Sequence, residues 1–104
     1  MKRINYTVSL KFGRLLINEV IIDQHYKEKH KEINDLIILH LVKKINSKKV
    51  KIAGTKDNYR YYVAQPVYYK QKPYRLIFTI ENGYNYIGVI NAFRVKEKKY
   101  GISI

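Results

Sequence analysis

Apolar and polar residues alternate with a period of two at the start of the chain and over its second half. In "INYTVSLKF" the apolar positions are Ile4, Tyr6, Val8, Leu10 and Phe12. This is the signature of a half-buried strand, and "LLINEVIID" after Gly13-Arg14 predicts the second strand of a hairpin. Further strands rich in aromatic and β-branched residues are predicted at "VKIAG", "YRYYVAQPVYY", "PYRLIFTIE" and "YNYIGVINAFRV".

The stretch between these two groups of strands has the spacing of a helix. In "KEINDLIILHLVKKIN" apolar residues recur every four positions, at Ile33, Ile37, Leu41 and Ile45. This predicts an amphipathic helix that ends near Asn46-Ser47, with Val42 outside its main apolar stripe. The order β-β-α-β-β-β-β predicts one α+β domain over residues 1–104, with an N-terminal β-hairpin and one main helix packed on a four-stranded antiparallel sheet. Pro66 cannot donate to a ladder, so its strand is predicted to be an edge, to carry a bulge or to be two strands.

The charge of the chain indicates a negatively charged partner. Lys and Arg number 21 against 8 Asp and Glu, which gives a formal net charge of +13 and a pI near 9.9. This imbalance costs stability through self-repulsion, so a polyanion is the expected partner, and a compositional bias toward lysine is the alternative explanation. The excess is larger in residues 48–104 than in residues 1–47, so the binding surface is expected in the second half.

Other features of the composition exclude several classes of protein. No apolar stretch reaches the roughly 18 residues of a membrane span, and no membrane association is expected. Cysteine is absent, which excludes disulfides and thiolate catalysis and fits a cytoplasmic location. The three histidines show no HxH or HExxH spacing, so neither a metal site nor a cofactor is expected.

Two histidines lie among lysines between the second strand and the helix, in "IIDQHYKEKHKEIND". His30 is in line with the apolar stripe, and His25 precedes the helix. A solvated helix start is one interpretation. The other is a corner of a site for phosphate chemistry, because imidazole titrates near neutrality and a helix N-terminus favours anions. His40, on the flank of the stripe, is interpreted as structural.

Tyrosines and cations are interleaved on the predicted strands. Most of the 11 tyrosines follow residue 58, and alternation puts Tyr59 and Tyr61 on one face of their strand. Such a surface lets bases stack on rings while phosphates meet cations, although tyrosine must also fill much of the aromatic core. The same alternation groups Arg94 with Tyr86. Arg94 is interpreted either as a phosphate clamp or as one partner of a salt bridge.

A lysine- and histidine-containing segment before a helix, followed by antiparallel strands that end in "VINAFRVKEKKYG", resembles bacterial ribonuclease toxins of the RelE/BrnT type. These belong to the barnase–colicin–RelE fold group. Lys29-His30 looks like the lysine-histidine pair of BrnT-like toxins, and "INAFR…KEKKY" is similar to their closing strand. The likeness covers residues 20–100, and the chain departs from the family in its additional N-terminal strand pair.

This resemblance implies metal-independent cleavage of RNA, with an acidic antitoxin or immunity protein as a partner. In such chemistry a base takes the proton of a 2′-hydroxyl, which attacks the adjacent phosphorus, and an acid protonates the leaving oxygen. His25 and His30 are the expected acid and base, and Arg75 and Arg94 are expected to stabilise the phosphoryl charge. The expected nucleic-acid-binding residues are Lys27, Lys29, Lys56, Arg60, Tyr62 and Tyr86.

Two other functions fit the same sequence. The first is a non-catalytic RNA- or DNA-binding module that uses the same sheet and binds with strong salt dependence. The second is a partner-binding protein, such as an immunity factor, an antitoxin or an inhibitor, whose positive charge meets an acidic protein face. Cleavage of RNA in the presence of a chelator separates the ribonuclease from both.

Overall fold

The fold consists of one six-stranded sheet and one main helix. The structure is a computed structural model that describes residues 2–45, 47–48 and 50–96. The elements in chain order are β1 (Arg3–Phe12), β2 (Leu15–Asp23), a 3₁₀ helix (Gln24–Glu28), α1 (Asp35–Lys43), β3 (Lys51–Lys56), β4 (Tyr59–Tyr69), β5 (Lys72–Glu81) and β6 (Tyr86–Arg94). The predicted α+β class is confirmed. No helix within the described ranges is long and apolar enough to cross a membrane.

The sheet joins all six strands in the order β1-β2-β6-β5-β4-β3. Neighbouring strands are antiparallel except β2 and β6, which run parallel with Glu19–Ile22 beside Tyr86–Val89. The prediction of a hairpin beside a four-stranded antiparallel sheet is therefore only roughly right, since the hairpin extends the sheet through this parallel pair. No local pattern reveals the pairing, because its two strands lie far apart in the sequence.

α1 is shorter than predicted and begins at a side-chain cap. The side chain of Asn34 accepts the backbone N–H of Ile37 at 2.9 Å, which satisfies one of the free donors at the helix start and fixes where the helix begins. The buried residues of α1 are Ile38, Leu41 and Val42. The buried stripe is therefore rotated relative to the predicted one and includes Val42, which the sequence pattern placed outside it.

Asp35, the first residue of α1, ties the helix to two other elements. Its carboxylate accepts the hydroxyl of Tyr6 at 2.6 Å and that of Tyr26 at 2.5 Å. The side-chain amide of Gln24 donates to the same carboxylate at 3.0 Å. Partial burial alone would raise the pKa of Asp35, but these hydrogen bonds and the charge of Lys27 outweigh it and lower the pKa below its usual value. One carboxylate thus joins β1, the 3₁₀ helix and α1.

The hydrophobic core lies between the sheet and α1. β2, β4, β5 and β6 contribute buried side chains to it, and those of β5 at alternate positions are Tyr74, Leu76, Phe78 and Ile80. The tip of the β1–β2 hairpin also bends over this side, where the ring of Phe12 packs edge-on against Tyr62 at 5.2 Å. The opposite side of the sheet is not covered by α1, and we call it the open face. Residues of this face include Arg3, Asn5, Ile21, Asp23, Tyr59, Tyr61, Arg75, Thr79, Tyr86, Gly88 and Phe93.

A bulge in β6 changes which of its side chains face outward. The register between β5 and β6 passes over Ile90. The buried positions that flank this residue are Val89 and Ala92. Alternation therefore shifts by one residue, so that Phe93 rather than Arg94 shares the face of Tyr86. The predicted grouping of Arg94 with Tyr86 is wrong for this reason.

One bulge and two turns shape the second half of the sheet. Pro66 lies at a bulge in the register of β4 with β5, which confirms the bulge among the three alternatives. Asn82-Gly83 is typical of a two-residue type I′ turn, which needs positive φ at both residues. Only Gly83 has it, at +87°, and the connection spans residues 82–85. Positive φ at both residues of a two-residue turn occurs instead at Lys70-Gln71, with φ of 51° and 67°.

Candidate nucleic-acid interface

A hollow of about 360 Å³ lies at the centre of the open face, a volume near the lower end of the range of small-molecule sites. Its floor is a row of paired residues in which Gly88 on β6 lies between Ile21 on β2 and Thr79 on β5. The row continues to Asn5 on β1 and Tyr61 on β4. Gly88 has no side chain, and the methyl group of Thr79 and the ring of Tyr86 pack close to the place that its Cβ would occupy, at 3.1 and 3.6 Å. The residues lining this tyrosine hollow are Arg3, Asn5, Ile21, Asp23, Tyr59, Tyr61, Thr79, Tyr86, Gly88, Val89 and Ile90.

Three tyrosine rings contribute the aromatic surface of the hollow. Tyr59 and Tyr61 alternate along β4, with ring centroids 6.5 Å apart. The hydroxyl of Tyr86 donates to Glu81 Oε1 at 2.8 Å. Burial, together with hydrogen bonds to Glu81 and Tyr59, raises the pKa of Tyr86. Tyr86 is therefore neutral at physiological pH and held in place, which suits a stacking surface better than a proton donor.

The part of the hollow formed by β1 and β2 is polar. Asn5 Nδ2 donates to Glu19 Oε2 at 2.8 Å, and Asp23 Oδ1 accepts the backbone N–H of His25 at 2.9 Å. Each of these two side chains keeps one oxygen with no donor among the described residues. Arg3 pairs with Asp23 across the two strands, and its guanidinium makes no hydrogen bond or ion pair with a described residue. The hollow thus combines aromatic surface with one cation and two open acceptors.

A second cluster lies on the open face about 13 Å from the hollow, measured as four residues along β5. We call it the His30 row; its members are Gln65, Arg75, Phe93 and His30. The ring of His30 stacks on Phe93 with centroids 4.9 Å apart, and the guanidinium of Arg75 lies 5.7 Å from the centroid of the same ring. Arg75 Nε donates to Gln65 Oε1, and His30 Nδ1 lies 3.9 Å from Glu32 Oε2. His30 and Arg75, which the sequence analysis expects to be catalytic, therefore both contact the outward-facing ring of Phe93.

The other two residues predicted to be catalytic lie apart from this row. The side chain of His25 is exposed, and its Nδ1 lies 3.3 Å from Glu28 Oε2. Arg94 is paired with the buried Tyr74, so alternation directs it away from the open face, and it borders a separate hollow with Lys72 and Lys96. The described residues therefore bring the side chains of His30 and Arg75 together. The side chains of His25 and Arg94 do not join them, although the backbone N–H of Arg94 donates to Glu32 Oε2 at 3.3 Å.

Two of the residues predicted to bind nucleic acid lie on the core side of β4. Tyr62 is only 7% exposed, and its ring stacks on Phe78 with centroids 5.2 Å apart. The prediction that Tyr62 stacks on a base is wrong, because the core of this tryptophan-free chain uses that ring. Arg60 follows the same alternation and borders a hollow on that side with Tyr62 and Phe12.

The remaining predicted binding residues are accessible. Lys56 is paired with Tyr59 at the end of β3 and shares its face beside the tyrosine hollow, and Tyr86 lines the hollow itself. Lys27 and Lys29 are exposed at the 3₁₀ helix and its C-terminal cap. Five of the six residues predicted to bind nucleic acid are thus at least partly accessible, since Arg60 is also exposed, although on the core side of the sheet.

His40 lies outside the open face and stacks on Tyr69 with centroids 5.1 Å apart, which agrees with its structural interpretation. Within the described ranges, no three histidine, aspartate or glutamate side chains lie close enough together to hold a metal ion. Residues 97–104, which carry the end of the segment that resembles RelE/BrnT toxins, lie outside the described residues.

Sequence reasoning missed the polar part of the hollow and its floor. Arg3, Asn5 and Asp23 reach the hollow only through the parallel pairing of β2 with β6, for which the sequence has no local signal. Gly88 does carry such a signal, because an isolated glycine among large residues of a strand indicates close approach of a ligand or of another backbone.

In the comparisons with known proteins, no family model, no curated protein and no solved structure matches this chain.

Proposed function

We propose that this protein binds single-stranded RNA along the open face of its sheet. The observation that carries the proposal is the tyrosine hollow, which is lined by three tyrosine rings, by Gly88 and by Arg3. The guanidinium of Arg3 has no partner among the described residues. Unpaired bases stack on tyrosine rings regardless of sequence, and single strands expose both faces of each base. A duplex hides those faces, so single-stranded RNA is the ligand that the hollow fits.

The distribution of charge supports the same ligand. Arg3, Arg75 and Lys56 lie on or beside the open face, and the chain as a whole carries a net charge of +13. An RNA strand that runs along β5 from the tyrosine hollow to the His30 row would first contact the tyrosine rings. About 13 Å further on, it would reach the guanidinium of Arg75. Stacking and phosphate contact are thus available in turn along one path. Each phosphate neutralised by a cation also releases counterions, which makes binding depend on salt.

A fluorescence anisotropy titration tests this proposal with one short RNA, offered as a single strand and as a duplex with its complement. We expect the single strand to bind more tightly, because only it can place a base in the tyrosine hollow. We also expect the affinity for both to fall as salt is raised from 50 to 200 mM. Equal or tighter binding of the duplex would contradict the proposal, since it would assign all affinity to charge.

Cleavage of the bound RNA is a second function, which the His30 row favours. Nε2 of His30 can take the proton of a 2′-hydroxyl while Glu32 lies beside Nδ1. The 2′-oxygen then attacks the adjacent phosphorus, the P–O5′ bond breaks, and the leaving 5′-oxygen takes a proton from water or a second side chain. Arg75, oriented by Gln65, stabilises the charge on the phosphoryl oxygens. Products with 2′,3′-cyclic phosphate ends follow from this route.

Replacing His30 with alanine is expected to slow RNA cleavage by about 100-fold or more, the usual contribution of a general acid or base. The measurement uses end-labelled RNA with a chelator present, and His40→Ala is the matched control because His40 stacks on Tyr69 away from the open face. Unchanged RNA affinity in His30→Ala would separate catalysis from binding. Wild-type protein that yields no cyclic-phosphate product, or His30→Ala that cleaves at the wild-type rate, would exclude this second function.

An acidic antitoxin or immunity protein is proposed as a partner only together with cleavage. A protein that cuts cellular RNA in the cytoplasm must be held inactive there by an inhibitor. Because this chain has a net charge of +13, an inhibitor with an acidic surface would complement it. Expression supports this part of the proposal if wild-type protein arrests growth without a partner and His30→Ala does not. Equal growth with both proteins would remove the reason for such a partner.

A further inference from the structure

We infer that the tyrosine hollow is a base-recognition site that selects guanine. The inference rests on the proposed binding of single-stranded RNA and names the base that the hollow holds. It starts from the polar groups on β1 and β2, which line the same hollow as the three tyrosine rings.

The hydrogen-bonding groups left open in the hollow form a specific set. Asp23 uses Oδ1 for the backbone N–H of His25, and its second oxygen has no donor among the described residues. Asn5 uses its amide nitrogen for Glu19, which leaves its carbonyl oxygen as a second open acceptor. Arg3 adds a donor that no described residue engages. The hollow therefore presents two acceptors and one donor.

Guanine is the base whose Watson–Crick edge matches this set. It presents two adjacent donors, the N1–H and the 2-amino group, and one acceptor, O6. Adenine and cytosine each present one amino donor on that edge, and uracil presents one imino donor between two carbonyls. Any of these three bases would leave one of the two acceptors unpaired. An unpaired acceptor that has lost its water costs affinity.

Two of the three polar groups are fixed before the base arrives. The bond from Asn5 to Glu19 holds the amide with its oxygen free, and the bond from His25 holds the carboxylate of Asp23. A site whose groups are already oriented loses less entropy on binding, so its preference for one base is larger. Stacking on the tyrosine rings contributes to the binding of all four bases. The preference for guanine comes from Asp23, Asn5 and Arg3.

The test compares four uridine-rich RNAs that are identical except for one central position, which is guanine, adenine, cytosine or uracil. We expect the guanine RNA to bind about tenfold more tightly than the others, in the range that one well-formed base contact provides. A fifth RNA with inosine at that position lacks the 2-amino group and should lose most of the preference. Guanine and inosine RNAs of equal affinity would overturn the assignment of two acceptors.

A pair of charge-matched variants completes the test. Asp23→Asn replaces an acceptor oxygen by an amide and should abolish the preference for guanine, so that the four RNAs bind with equal affinity. Asp57→Asn makes the same change of charge in the exposed β3–β4 turn, at a residue that does not line the hollow, and should keep the preference. Equal binding of all four RNAs by wild-type protein overturns the guanine site alone, whereas no binding of any RNA overturns the proposed function.

Discussion

Replacing Tyr61 with alanine is expected to weaken the binding of single-stranded RNA by about 5- to 150-fold. The range follows from the 1–3 kcal/mol that a base gains by stacking on an aromatic ring. Tyr61 is the ring at the end of the row that holds Gly88 and Thr79, so a base on the glycine floor lies against it. Anisotropy titrations of wild type and Tyr61→Ala with the same RNA measure the effect.

The matched control is another exposed tyrosine of the same strand. Tyr68 lies on β4 beyond the bulge at Pro66, is 43% exposed and takes no part in the tyrosine hollow. Tyr68→Ala removes the same type of side chain from the open face outside the hollow, and it should weaken RNA binding much less than Tyr61→Ala does. Tyr61 has no hydrogen bond to a described residue, so its loss should affect the free energy of unfolding little. Equal loss of affinity in both variants would show that the hollow has no special part in binding.

Replacing Asp35 with alanine is expected to lower the free energy of unfolding by about 3 kcal/mol or more. A hydrogen bond to a charged group contributes about 1.5–3 kcal/mol net, and the carboxylate accepts from Tyr6, Tyr26 and Gln24. The hydroxyl of Tyr26, whose side chain is almost fully buried, would also lose its acceptor. Urea unfolding at pH 7, followed by circular dichroism, measures the change.

The same cluster makes stability depend on pH in a defined direction. The pKa of Asp35 is lowered from its usual 3.8, so its contribution is complete above that pH and is lost as pH falls through the lowered value. Burial and the bond to Asp35 raise the pKa of Tyr26 above its usual 10.0, so this contribution is complete below pH 10 and is lost as pH rises beyond it. Unfolding experiments from pH 2 to 11 should therefore give a wild-type profile that falls at both ends.

Two controls keep the result interpretable. Asp57→Asn removes an exposed carboxylate in a turn and should leave the free energy of unfolding within about 0.5 kcal/mol of wild type. Tyr6→Phe removes one of the hydrogen bonds to Asp35 and should cost less than Asp35→Ala. An Asp35→Ala protein as stable as wild type, with an unchanged acid limb, would mean that the carboxylate does not join the three elements.

Elements whose side chains repeat at a fixed spacing could be predicted from the sequence. The hairpin of β1 and β2, the strand character of residues 59–94 and the shared face of Tyr59 and Tyr61 all follow from alternation, which depends only on local backbone geometry. The start of α1 was misplaced because apolar spacing continues through Ile33, whereas the cap at Asn34 decides where the helix begins. Spacing indicates the type of an element better than its ends.

Features of the candidate site that depend on one residue or on distant pairing could not be predicted. The unpaired Ile90 in β6 turns Phe93 outward and Arg94 to the other side, and one extra residue leaves no trace in a strand of mixed apolar composition. The polar groups of the tyrosine hollow come from β1 and β2, which reach it through β6. Arg75 was predicted to be at the site because regular alternation holds throughout β5.

The parallel pairing of β2 with β6 also constrains how the protein is made. Residues 19–22 of β2 can pair only after residues 86–89 of β6 have been synthesised. The ribosome must therefore add all the residues between them first. A nascent chain on the ribosome therefore exposes an unpaired strand with Ile22 unburied, the kind of edge that associates with other chains. The tyrosine hollow therefore forms only after the last strand has been synthesised, because Tyr86 and Gly88 of its lining belong to β6.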